Sequence, residues 1–104
     1  MSSGFERVAD VSEIPNGKMK SVRLGAEEVM LANVDGTFYA LNNKCTHVGG
    51  PLAKGGLEGF VVQCPWHGSK FDVRTGAVVG PPARNPEPTF QVKVEGNDVL
   101  IKTG

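Results

Sequence analysis

An all-β domain of antiparallel strands, folded as a sandwich or small barrel, is what this sequence predicts. Three observations carry the prediction. Short apolar or alternating segments recur along the chain, and no stretch keeps the period of an amphipathic helix. Fourteen glycines and seven prolines in 104 residues require many turns and short strands. Asp35-Gly36 lies between two apolar segments and is a strong signal for a tight hairpin.

The elements follow in order. Phe5 to Val8 is a short first strand. Asp10 to Pro15 holds at most one helical turn, ended by Pro15-Asn16-Gly17. Lys18 to Leu24 is a strand in which Met19 and Val22 break strict alternation, and Gly25-Ala26 turns the chain. Glu28 to Asn33 and Thr37 to Leu41 pair through Asp35-Gly36. Phe38 and Tyr39 are adjacent, so they point to opposite faces and one is expected to be exposed. Asn42 to Leu57 reads mostly as loop. Gly59 to Gln63 is a short apolar strand, and Ser69 to Val73 returns as another, turning at Arg74-Thr75-Gly76. Ala77 to Val79 follows, then the loop Gly80-Pro81-Pro82 and an irregular stretch over 83–88. Thr89 to Val94 alternates as one strand, with Phe90, Val92 and Val94 on one face. Glu95-Gly96-Asn97-Asp98 makes the last turn and Val99 to Lys102 the last strand.

Length and composition fit a single domain, 1–104, with a modest core. A formal net charge of zero argues against a nucleic-acid binder. The charge is unevenly spread. Residues 44–84 hold Lys44, Lys54, Lys70, Arg74 and Arg84 against Glu58 and Asp72, a net +3. Met1 to Gly4 lacks the basic-then-apolar pattern of a signal peptide, and no apolar run approaches the ~18 residues of a membrane span. A soluble, monomeric, cytoplasmic protein without a membrane or nucleic-acid partner is expected.

The chemistry is concentrated between Cys45 and His67. The segment opens Cys45-Thr46-His47 and closes Cys64-Pro65-Trp66-His67, and it holds every cysteine and histidine of the chain. Two thiolates and two imidazoles brought together make a metal site. The bland alternative, buried thiols and surface histidines, does not explain why each cysteine has a near histidine in turn chemistry. A Cys2His2 zinc site remains open, although each half supplies one ligand of each type and no helix follows Cys64. The other candidate is a [2Fe–2S] cluster with both cysteines on one iron and both histidines on the other.

The residues resemble the Rieske iron–sulfur family. Cys45-Thr46-His47-Val48-Gly49-Gly50-Pro51-Leu52 is similar to its first cluster-binding loop. Cys64-Pro65-Trp66-His67-Gly68-Ser69, followed by Phe71-Asp72, is similar to the second, and Gly80-Pro81-Pro82 to the proline loop that covers the cluster. The resemblance implies a Rieske-like β-sandwich base, approximately 1–42 and 84–104, with a small inserted cluster-binding lobe over approximately 43–83. It implies Cys45 and Cys64 as thiolate ligands of one iron, and His47 and His67 as Nδ1 ligands of the other. Two ferric ions, two sulfides and two thiolates leave an oxidised centre neutral, whereas four thiolates would leave it doubly negative. The mixed ligation therefore raises the potential.

Two features of higher-potential members are missing. Gly50 and Trp66 stand where those proteins have a loop-tying disulfide, and Phe71 where a Tyr hydroxyl bonds a cysteine sulfur. Ser69 is retained as a hydroxyl that can donate to a bridging sulfide. Trp66 is expected at the tip as a shield or a partner contact. With no candidate acid, base or nucleophile beside the site, the chain is expected to be an electron carrier rather than an enzyme. By resemblance, its partners are a flavin-dependent NAD(P)H reductase and a terminal oxygenase. A reductase small subunit, as in nitrite reductase, and a structural zinc module are the alternatives.

Overall fold

The computed structural model describes residues 4–25, 27–44, 51–66, 68–80 and 85–102. Their strands are β1 (Phe5–Asp10), β2 (Met19–Leu24), β3 (Glu27–Val34), β4 (Thr37–Asn42), β5 (Gly56–Glu58), β6 (Val61–Gln63), β7 (Lys70–Asp72), β8 (Val78–Gly80), β9 (Thr89–Phe90), β10 (Val92–Glu95) and β11 (Asp98–Lys102). Single-turn 3-10 helices occupy Val11–Glu13 and Leu52–Lys54. The pairings are antiparallel and give three sheets, ordered β1-β11-β10, β2-β3-β4-β9 and β5-β6-β7-β8. The all-β expectation holds.

The second sheet lies between the other two, and its two faces feed separate cores. Val22, Leu24, Val29, Leu31 and Ala40 face one way, with Ala9, Ile14, Val99 and Ile101. Met30, Ala32, Val34 and Leu41 face the other way, with Leu52, Val62, Cys64, Phe71 and Val73. This is why β3 reads Val29-Met30-Leu31-Ala32 with no polar alternate. A strand covered on both faces has no wet side. It is also why Met19 departs from the pattern of its strand: it packs on the second core, whereas Val22 and Leu24 pack on the first.

The same layering corrects the expectation for Phe38 and Tyr39. Neither is exposed. Phe38 packs against the core shared with the first sheet and Tyr39 against the core shared with the third. The β3–β4 hairpin closes as expected, with Val34 opposite Thr37 and positive φ at both Asp35 (53°) and Gly36 (88°). That pair of dihedrals is a type I′ turn, whose twist matches the strands it joins.

Of the stretch from Asn42 to Leu57, residues 45–50 lie outside the described residues; the rest holds the 3-10 turn Leu52–Lys54 and the start of β5. Two further expectations are corrected. Thr89 to Val94 is not one strand. Phe90 pairs with Ala40 of the second sheet, Val92 with Ile101 of the first, and the Gln91 carbonyl accepts from the Lys102 N–H at 3.0 Å between them. Alternation continues unbroken through such a change of sheet, so the sequence pattern cannot register it. Val94 does not share the burial of Phe90 and Val92; it is 45% exposed at the open edge of its sheet, beyond the residues that pack on the core.

Candidate metal centre

The third sheet is built wholly from residues 56–80 and presents the second cysteine. β6 delivers Cys64 at its end and β7 leaves at Lys70, with Gln63 opposite Lys70 as the last pair before the loop. The Cys64 N–H donates to the Ser69 carbonyl at 2.7 Å, closing residues 64–69. Within that loop the Trp66 N–H donates to Cys64 Sγ at 3.4 Å. A donor aimed at sulfur favours the thiolate, which is the ligand form. Cys64 is 1% exposed and belongs to the core of Val62, Phe71 and Leu52. Trp66 is 51% exposed, consistent with a residue at a tip rather than one filling the core.

The first loop is bracketed in the same way. Lys44 forms an antiparallel bridge with Pro51, so the residues on either side of 45–50 are paired. Leu52 and Ala53 at its exit are bonded to Asn43 at its entry. Cys45, His47 and His67 lie outside the described residues, as do Val48, Gly50 and the Pro81-Pro82 pair. Among the described residues no group of three potential metal ligands occurs.

The two halves press together at Gly55. A Cβ there would stand 1.8 Å from the Gln63 carbonyl oxygen and 3.1 Å from Pro65 Cδ, so only glycine lets the chain leaving the first loop lie against the strand carrying Cys64. Sequence reading missed Gly55 and Asn43. The Gly55-Gly56 pair at a strand start was the available signal for the first. For the second it was an asparagine just ahead of a ligand.

A brace holds the lobe from behind. Arg74 Nη2 meets Asp72 Oδ2 at 2.8 Å and its Nε meets Oδ1 at 3.1 Å, while the Arg74 N–H also donates to Oδ1 at 2.8 Å. The guanidinium beside Asp72 holds that carboxyl below its ordinary range. Arg74 also stacks 4.1 Å over the Phe60 ring, and Phe60 meets Tyr39 of β4 edge-on at 6.1 Å. Exposed ion pairs and cation–π contacts contribute only about 0.5–1 kcal/mol each. The aromatic contact matters more for geometry, because it links the third sheet to the second.

The donor set fits a two-iron cluster: a buried sulfur with an amide N–H on it, at the head of a closed hairpin loop, in a chain whose remaining soft donors follow loop signals. The family profile described as Rieske [2Fe-2S] domain matches residues 4–99. The chain belongs to the Rieske [2Fe–2S] family, and its cofactor is a [2Fe–2S] cluster. Among its relatives, the biphenyl dioxygenase ferredoxin subunit of a Pseudomonas strain is 42% identical over 98 residues, which are 93% of this chain and 90% of that protein. The solved ferredoxin of carbazole 1,9a-dioxygenase from Nocardioides aromaticivorans superposes with a TM-score of 0.94 at 30% identity, covering 98% of this chain and all of that one. A ferredoxin solved in complex with the reduced oxygenase of carbazole 1,9a-dioxygenase matches with a TM-score of 0.90 at 32% identity, covering 97% of this chain and 94% of that one. No helix among the described residues is long and apolar enough to cross a membrane.

Proposed function

We propose that the chain is a one-electron carrier of the ferredoxin type, accepting electrons from a flavin-dependent NAD(P)H reductase and delivering them to a terminal oxygenase. Cys45 and Cys64 are assigned as thiolate ligands, and His47 and His67 as imidazole ligands, within a cluster-binding lobe over approximately 43–83. When bound, the cluster supplies a one-electron couple. The chain's own residues hold it at a loop tip, keep Cys64 dry, and aim an amide N–H at its sulfur. The observation that carries the reading is Cys64, buried and amide-bonded at the start of a closed loop, beside a half-exposed Trp66. Relatives of nearly the same length are ferredoxin components of dioxygenase systems, which supports the choice of partners.

The test is anaerobic reconstitution with iron and sulfide, followed by metal analysis and stopped-flow mixing with a dioxygenase reductase and its oxygenase. Two irons and two sulfides per chain, lost in Cys64→Ala, and electron delivery to the oxygenase are expected. A colourless protein holding zinc, or a Cys64→Ala protein with its full iron content, overturns the assignment.

A further inference from the structure

We propose that Asn43 is a positioning residue for the cluster: it ties Leu52 and Ala53, which follow segment 45–50 in the chain, to the end of β4, and so governs how firmly the cluster is held. The inference rests on the ligand assignment above. Asn43 is 3% exposed and holds two other pieces of chain through three hydrogen bonds. Its N–H donates to the Glu28 carbonyl at 3.0 Å, extending the β3–β4 ladder. Its carbonyl accepts from the Leu52 N–H at 2.8 Å, and its side-chain Oδ1 accepts from the Ala53 N–H at 2.8 Å.

Leu52 and Ala53 begin the 3-10 turn that follows segment 45–50. The first N–H groups of any such turn lack partners within it, and a side chain at the N-cap commonly accepts from them. Here the N-cap is Pro51, which makes no side-chain cap. Asn43 supplies the missing acceptor from the entry strand. Entry and exit are thereby tied by one residue, and the Lys44–Pro51 bridge follows directly. The tie reaches the second ligand loop as well. Leu52 is fully buried in the core that contains Cys64, Val62 and Phe71, so its height at the exit fixes a neighbour of the second thiol.

Asn33 provides an internal control. It is 7% exposed, donates from Nδ2 to the Ile14 carbonyl at 2.7 Å, and accepts on Oδ1 from the Gly36 N–H at 2.9 Å, but it serves the β3–β4 turn. The reconstituted holoproteins of Asn43→Ala, Asn43→Asp and Asn33→Ala are compared with wild type. The readouts are iron release to a chelator, the EPR signal after dithionite and the urea midpoint. Asn43→Ala is expected to release iron about tenfold faster, the factor that ~1.4 kcal/mol confers, with shifted g values. Asn43→Asp keeps the acceptor and restores both readouts. Asn33→Ala lowers the urea midpoint but leaves the EPR signal unchanged. If Asn43→Ala does not accumulate as folded protein, Asn43→Ser, whose shorter side chain draws the acceptor away from Ala53, takes its place.

Equal iron release and identical EPR signals in the Asn43 and Asn33 variants overturn the proposal, as does an Asn43→Asp protein that behaves like Asn43→Ala. Failure of the ligand assignment reads differently, because the wild-type protein itself would then hold no two-iron cluster.

Discussion

Two adjacent glycines give the sharpest test of how the two loops are held together. Gly55 is extended, φ −86° and ψ −153°, without the positive φ that would by itself require glycine. Its obstacle is space. A Cβ would lie 1.8 Å from the Gln63 oxygen where ordinary contact begins at 3.4 Å, so the segments must part by roughly 1.6 Å. Gly56 pairs with Gln63 in the first rung of β5–β6, and a parting of that size carries its hydrogen bonds out of range. One or two lost bonds at about 1 kcal/mol each, added to about 1–3 kcal/mol for overpacking, place Gly55→Ala at about 2–5 kcal/mol destabilised. That is a large part of the 5–15 kcal/mol typical of a domain. A Cβ at Gly56 meets nothing within 4 Å, and Gly56→Ala should be neutral or stabilising by about 0.4–1 kcal/mol. Urea unfolding of both variants gives the stabilities, and visible absorbance gives their cluster content. Gly55→Ala should lose both stability and cluster, because Gln63 is the residue before Cys64. If the two variants agree within about 0.5 kcal/mol, the close approach does not hold the lobe together.

Other expectations follow from the surroundings of the site. Rieske centres span roughly −150 to +300 mV, and this one should lie near the low end because Phe71 brings no hydroxyl to sulfur. Phe71 is fully buried in the core of Cys64, and Phe71→Tyr should raise the midpoint in protein-film voltammetry; an unchanged midpoint with a stability loss of about 1–3 kcal/mol, the cost of a stranded hydroxyl, would refute this. Among the described residues of the lobe, steering by charge should rest on Lys44, Lys54 and Lys70, since Arg74 is engaged by Asp72. Replacing these three lysines by Gln should slow reduction by the reductase at low salt and flatten its salt dependence, and an unchanged salt slope would count against an acidic partner face. Asp72 has a lowered folded pKa, chiefly through its hydrogen bonds with Arg74, so the stability it confers is present above the ordinary carboxylate value and is lost as pH falls through the lowered one. Asp72→Asn should therefore flatten acid unfolding below about pH 4, and acid titration curves that superpose for the two proteins would contradict it.

The sequence by itself determined the fold class and the kind of cofactor. Tight turns at Asp35-Gly36 and Glu95 to Asp98 are local chemistry, so they were legible from neighbouring residues alone. The pairing of each cysteine with a near histidine is equally local, and the resemblance to the family was read on it. What only the tertiary structure decided is which faces are covered and which chain passes against which. Phe38 and Tyr39 are both packed because a third layer covers the second face of the central sheet, and alternation within one strand carries no information about what lies over each face. Thr89 to Val94 divides between two sheets because hydrogen-bond partners are chosen across space, not along the chain. Gly55 and Asn43 matter for the same reason. Each acts on a segment eight to ten residues away, through a van der Waals contact or a pair of acceptors, and neither leaves a periodic trace in the sequence.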